Sequence, residues 1–243
     1  MMETHTQISL AEQYAATLDW WRGAGVDCVF EDDVQSMLSD IEAPATKAAA
    51  ASAPAEEKIE TAPEPAISPK NLPGDMQSFR DWWMDPETPL PTGPSPRIAP
   101  RGETGAPLML LVPMPETDDV DQLLSGPQGK MLASITLALG YDAGLAYFAS
   151  AIPANITLPD WGALAADGLG TALHKHIELA KPDRVIMFGS KLPAMLGHDP
   201  AAPPEAFTDI AGIPALTTFA PDRLLDHPRQ RARLWQRLLQ WTA

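Results

Sequence analysis

The chain has 243 residues, 45% of them apolar, and a formal net charge of −15 at pH 7. That length suits one sizeable globular domain with extensions. The acidity denies the protein any general attraction to a phosphate backbone, which excludes a free-standing DNA binder held by bulk charge and leaves any DNA contact weak, local or indirect.

The excess acid is unevenly spread: residues 1–106 hold 7 basic and 18 acidic groups, and residues 107–243 hold 10 and 14. The single cysteine, Cys28, can close no internal disulfide and cannot alone hold a zinc or iron–sulfur site, so neither metal nor cofactor is expected. The N-terminal residues lack the basic start and apolar core of a secretory signal, and no run approaches the ~18 apolar residues of a membrane span. A soluble, cytoplasmic protein without a membrane contact is expected.

Ser9-Leu-Ala-Glu12 matches the capping box that opens a helix, and Leu10, Tyr14, Leu18 and Trp21 recur at helical spacing along one apolar stripe. Gly23 and Gly25 end it, and Val34, Met37, Leu38 and Ile41 suggest a second short helix. Residues 1–41 thus read as a helical hairpin whose greasy face either packs on the main domain or docks a protein partner. Residues 42–106 contain 12 of the 26 prolines and an alanine-rich tract, the composition of a linker, with disorder expected at least over 42–69. As a flexible coil it would span roughly 45 Å root-mean-square. Within it, residues 75–84 read as a short helix capped by Asp75 and presenting Phe79, Trp82 and Trp83, which should pack back onto the domain.

From Pro107 the pattern becomes regular. Leu108 to Val112 is an apolar run of the kind buried on both faces of a parallel sheet, stopped by Pro113 and Pro115. Helices are expected over 126–138, 170–180, 191–196 and 229–241, and strands over 145–152, 184–188 and 213–219. This alternation predicts a three-layer α/β/α domain over 107–243 with a mainly parallel sheet. In such sheets ligands bind past the carboxyl ends of the strands, which directs attention to the loop 113–121.

Glu116, Asp118, Asp119 and Asp121 in that loop offer carboxylates that either position water or Mg²⁺ or form a solvated helix-capping turn. Gly126 to Met131 lacks the glycine spacing and the Ser/Thr of a phosphate loop. His174 and His176, two apart on a helix, point apart, cannot share a metal and read as surface residues. Ser150 has no nucleophile elbow around it.

In their order, several of these pieces resemble the uracil-DNA glycosylase superfamily, particularly its bacterial iron–sulfur branch, over about residues 105–243. The family's Gly-Glu-Ala-Pro-Gly motif with following acids falls on Val112-Pro-Met-Pro-Glu116, Asp118 and Asp119, so that Pro113, Glu116 and Asp118 take site positions. Its Phe-Val-Gly-Arg-x-Gly segment falls on Leu124-Ser-Gly126-Pro-Gln-Gly129, with Leu124 in place of the stacking ring. Its Val-Tyr-Ile-Thr-Asn strand falls on Ala146-Tyr-Phe-Ala-Ser150, with Ser150 in place of the base-reading asparagine. Its Tyr-His-Pro-x-x-Leu-Leu-x-x-Pro falls on Phe219-Ala220-Pro221 through Leu224, Leu225 and Pro228, with Ala220 in place of the histidine.

The helix-Pro-strand-Gly unit matches as Ile177 to Pro182 followed by Val185 to Gly189, and the branch's four cluster cysteines are missing. The resemblance implies the family scaffold in a DNA repair or replication protein whose excision activity is lost or altered. The chain also resembles the psi subunits of the bacterial DNA polymerase III clamp-loader assembly, non-catalytic proteins on a similar scaffold. That likeness lies in Ala220-Pro221-Asp-Arg-Leu224, in Arg231-Ala-Arg-Leu-Trp235-Gln and in a tryptophan-bearing N-terminal peptide. It implies a non-enzymatic adaptor that recruits a protein partner through Leu10, Tyr14, Leu18 and Trp21.

Overall fold

The computed structural model describes residues 65–242 apart from 200, together with residues 9, 11, 12, 14–16 and 19. Leu10, Leu18 and Trp21, the expected second helix of the hairpin and the linker over 42–64 lie outside the described residues. The chain divides into two units, Met1–Lys58 and Ile59–Ala243. In the first, the capping box forms: the Glu12 carboxylate accepts from the Ser9 amide at 2.8 Å and the Ser9 hydroxyl at 2.9 Å, while Ser9 Oγ accepts from the Glu12 amide at 3.3 Å. These bonds to the ionised form hold the Glu12 carboxyl below its ordinary range. Ala11, Glu12, Tyr14, Ala15, Ala16 and Asp19 are helical and exposed.

The second unit is an α/β fold around a five-stranded sheet: β1 (Met109–Val112), β2 (Tyr147–Ser150), β3 (Val185–Phe188), β4 (Asp209–Ile210) and β5 (Ile213–Thr218), in the order β2-β1-β3-β5-β4. All neighbours run parallel except β4, which pairs antiparallel with β5. Its helices are α1 (Met76–Met84), α2 (Pro127–Ala138), α3 (Trp161–Ala166), α4 (Leu169–Ala180), α5 (Leu192–Met195), α6 (Pro221–Asp226) and α7 (Pro228–Thr242).

Every residue of β1 is buried, and alternation along the strand sorts the core into two clusters. Met109 and Leu111 join Phe79 and Trp83 of α1, Leu169 and Leu173 of α4 and Leu192 of α5. Leu110 and Val112 join Leu132 of α2, Leu224 of α6, and Leu234 and Leu238 of α7 on the opposite face. Helices on both faces explain why the inner strands read as continuous apolar runs rather than alternating ones. The four strands expected from the sequence all lie in this one sheet.

The expected domain boundary at 107 falls inside this unit. Ile67, Phe79, Trp83, Leu90 and Ile98 are all at most 3% exposed, so residues 65–106 belong to the core instead of forming the end of a linker. A proline-rich segment is poor in backbone donors, and side chains here supply them. Nη1 of Arg97 donates to the Trp83 and Asp85 carbonyls and to Thr88 Oγ1, and its Nη2 donates to the Leu90 carbonyl. The Trp83 indole donates to the Ile98 carbonyl at 3.2 Å, and the Ile98 amide to the Pro153 carbonyl at 2.8 Å. The island at 75–84 does pack back: Asp75 caps it through the Ser78 amide at 2.9 Å, and its Phe79 and Trp83, four apart, enter the core.

Candidate functional site

Parallel pairing brings all four strand ends to one edge: Val112 stands opposite Ser150, Phe188 opposite Thr218, and Leu111 opposite Met187. The chain leaves β1 for β2 on one side and returns to β3 on the other, so the switch point that hosts ligands in such sheets lies between β1 and β3. A Cβ on Gly189, whose φ is +120°, would stand 2.9 Å from Pro113 Cγ, so the backbone after β3 lies against the proline ring that ends β1.

The loop beyond Pro113 is built on two buried carboxylates. Glu116, 6% exposed, accepts from the Gly126 amide at 3.0 Å and the Gly129 amide at 2.9 Å through Oε1, and from the Gln128 amide at 3.0 Å through Oε2. It therefore occupies the N-terminus of α2, where the helix dipole and the unpaired amides of phosphate-binding folds receive an anion. Asp119, 2% exposed, accepts from the Glu116 and Leu124 amides through Oδ2 and from the Ser125 amide and hydroxyl through Oδ1, all within 2.7–2.8 Å.

These contacts explain two glycines. A Cβ on Gly126 would meet Glu116 Oε2 at 2.7 Å, and one on Gly129 would overlap the Leu124 carbonyl. Beside the loop the Arg101 guanidinium lies 3.9 Å over the Phe148 ring and donates through Nε to the Leu123 carbonyl at 2.9 Å. Burial pushes its pKa down while the Asp119 charge opposes that shift.

Of the four acids read from the sequence, Glu116 and Asp119 are thus spent on loop geometry, and Asp118 and Asp121 are exposed. The helix-capping alternative describes Glu116, although it is buried and not solvated. Leu124, with φ of 57°, and Ser150 are 3% and 1% exposed. The Ser150 hydroxyl has no hydrogen-bond partner. Ala220 is the half-buried N-cap of α6 and accepts from the Leu224 amide at 3.1 Å. Leu124 and Leu224 belong to the cluster that also holds Val112 and Phe148, and Ser150, two residues beyond Phe148, faces the same way. The structure therefore brings Pro113, Leu124, Ser150 and Ala220 to one edge, with Leu124 and Ser150 closed off from solvent.

A second polar cluster escaped the sequence reading. His174 is exposed as expected, but His176 is fully buried, a correction that follows from the same spacing: residues two apart on a helix face different ways, and only one of them faces the core. The His176 ring centroid lies 4.8 Å from that of Phe79 and 5.7 Å from that of Trp83, and Nε2 pairs with the Tyr147 hydroxyl at 2.9 Å. Arg80 reaches in from α1 and donates to the Gly102 carbonyl at 2.7 Å. His176 Nδ1 and Arg80 Nε are buried without partners. Burial, reinforced by the Arg80 charge, pushes the His176 pKa down to about 3. Its signal in the sequence was weak, because Arg80, Tyr147 and His176 stand far apart along the chain. Among the described residues no group of three or more His, Cys, Asp or Glu side chains could hold a metal ion.

Two predictions follow from these bonds. Glu116→Ala leaves three amides of α2 without their charged acceptor and should lower unfolding stability by at least about 3 kcal/mol, whereas Asp118→Ala should change it by less than about 0.5 kcal/mol. Urea denaturation of the two variants measures both, and equal effects would contradict the structural role of Glu116.

His176 is held neutral in the fold down to about pH 3, while in the unfolded chain it titrates near its ordinary value of about 6.5. Its neutral form thus contributes stability that is full above that value and is lost as pH falls toward the folded pKa, at up to about 1.4 kcal/mol per pH unit. His176→Phe should flatten this part of the stability profile between pH 6.5 and 4.5 relative to the parent; parallel profiles would refute it.

No protein-family model matches this chain, and a search of curated proteins finds no match either.

Proposed function

We propose that the protein is a uracil-DNA glycosylase-like protein of DNA repair or replication that no longer excises bases and acts by binding. The family reading rests on the sequence motifs, and it is supported by the convergence of Pro113, Leu124, Ser150 and Ala220 on the carboxyl edge of one mainly parallel sheet. The loss of excision rests on one observation, the commitment of the Glu116 and Asp119 carboxylates to backbone amides.

A general base needs a free lone pair within reach of water: Asp119 already accepts four hydrogen bonds, and Glu116 accepts three and is buried. The positions that would stack on, read and electrostatically assist a flipped base carry an aliphatic chain, a buried hydroxyl and a methyl group at Leu124, Ser150 and Ala220. Loss of one preorganised donor alone costs roughly 3–4 kcal/mol of transition-state stabilisation.

The expected result is that the full chain releases no uracil from single- or double-stranded oligonucleotides above the rate of a buffer control, scored by alkaline strand cleavage. Robust release that Asp118→Ala abolishes would overturn the proposal and make the one exposed acid of the aligned motif a water-activating group.

A second reading, a non-enzymatic adaptor like the psi subunits, is favoured by a separate observation. The N-terminal helix is opened by its own capping box and holds Tyr14 at 66% exposure. A short amphipathic helix of this kind gains most of its stability from burying its stripe on another surface. On this reading Leu10, Tyr14, Leu18 and Trp21 engage a replication protein. The full chain should then co-elute with purified clamp-loader subunits, and Tyr14→Ala combined with Trp21→Ala should abolish co-elution; separate elution of the parent protein would remove this reading.

A further inference from the structure

Around Tyr147 and His176 hydrogen-bond donors outnumber acceptors. The Tyr147 hydroxyl has one proton and faces two acceptors, His176 Nε2 at 2.9 Å and Met76 Sδ at 3.5 Å. The nitrogen is both stronger and closer, so the hydroxyl donates to it and the imidazole keeps its own proton on Nδ1. That N–H is buried without an acceptor, and so is the Nε–H of Arg80. Unpaired buried donors are destabilising, and two in one cluster call for an acceptor that the side chains in their present form do not supply.

Met76 is the residue placed to supply it. It opens α1, is half-buried, and its thioether sulfur is a weak acceptor. Arg80 stands four residues on, along the same face of the helix. Its guanidinium reaches the Gly102 carbonyl and has no ion pair among the described residues. It also acts on the Tyr147 hydroxyl, whose pKa burial pushes up while the Arg80 charge opposes that shift. Thioether, imidazole and guanidinium thus converge on one phenol oxygen.

We infer that Met76 is a redox-modification site, at which a hydroperoxide converts the thioether to a sulfoxide whose oxygen is held by the Tyr147 hydroxyl and the Arg80 guanidinium. A sulfur lone pair attacks one peroxide oxygen, and the O–O bond breaks as the S–O bond forms. The proton of the attacked oxygen passes to the leaving one, which departs as water or an alcohol; sulfur loses two electrons and the peroxide gains them. Sulfoxide formation ordinarily disrupts apolar packing. Here the new oxygen takes the Tyr147 proton, and His176 moves its own proton to Nε2 and donates to the phenol oxygen. The unpaired Nδ1–H is removed, and the guanidinium gains an acceptor for a charge-assisted bond. Oxidation at the rim of α1 is thereby converted into a change of tautomer in the core. The inference stands whether or not the protein excises bases.

The test treats the full chain with dilute hydrogen peroxide, in a Met84→Leu background that removes the more exposed methionine of α1. Peptide mass spectrometry should find the added oxygen on Met76 and not on Met109 or Met187, which are fully buried. The thermal midpoint should stay within about 1 °C of the untreated protein, whereas that of Tyr147→Phe, which cannot donate to the new oxygen, should fall by at least about 2 °C on the same treatment. In protein carrying ¹⁵N-labelled histidine, the proton-bearing nitrogen of His176 should change from Nδ1 to Nε2 on oxidation, and Met76→Leu treated alike should show no such change.

The inference is overturned if Met76 takes up oxygen only after urea unfolds the chain, or if oxidation lowers the midpoint of the Met84→Leu protein as much as that of Tyr147→Phe. An unchanged His176 tautomer in protein oxidised at Met76 would overturn it as well, and would reduce the sulfoxide to an incidental surface lesion.

Discussion

Three amides at the start of α2 converge on the carboxylate of Glu116, and the rest of the carboxyl edge depends on that convergence. The amides at a helix N-terminus need acceptors, and in nucleotide-binding folds the acceptor is a ligand. Here the chain supplies its own, ten residues upstream of Gly126, and a second carboxylate, Asp119, ties the intervening turn back on itself. The result is a loop that is rigid and closed. It holds Leu124 in a left-handed conformation, leaves no room for a side chain at Gly129, and fills the N-terminus of α2 with the chain's own carboxylate.

That closure leaves the Glu116 and Asp119 carboxylates bonded to the loop's own amides. The carboxyl edge has a proline ring packed at its switch point and buried side chains behind it. Leu137 of α2 and Trp235 and Leu239 of α7 are exposed, as is Val120 in the loop itself.

The same principle, side chains completing what the backbone lacks, accounts for the segment before β1. Proline at many positions of 85–106 removes amide donors, and the Arg97 guanidinium replaces them by bonding to carbonyls on both sides of the loop. Composition correctly indicates an extended, irregular chain there. It does not reveal whether the chain is pinned, because pinning depends on one arginine and on backbone bonds to partners distant in sequence, such as the Ile98 amide donating to the Pro153 carbonyl.

The sequence by itself determined the central strands, the longer helices and their alternation, because a strand buried on both faces must be apolar throughout and a helix covering it must repeat near 3.6 residues. It also determined the N-terminal capping box and placed Pro113, Glu116, Leu124, Ser150 and Ala220 near one edge, since parallel strands leave their carboxyl ends side by side. The β4–β5 hairpin was not legible: its turn uses Ala211 at φ 53° beside Gly212, and alanine is a poor sign of a left-handed residue.

Only the tertiary structure decided which polar groups face inward. Glu116 and Asp118 are two acids of one loop, and nothing local distinguishes the one buried under α2 from the one in water. His174 and His176 share a helix, and only the packing of α1 against α4 determines that the second sits in an aromatic pocket beside Tyr147. Burial of a charge or an imidazole depends on partners brought together by the fold, a long-range property that local pattern does not encode.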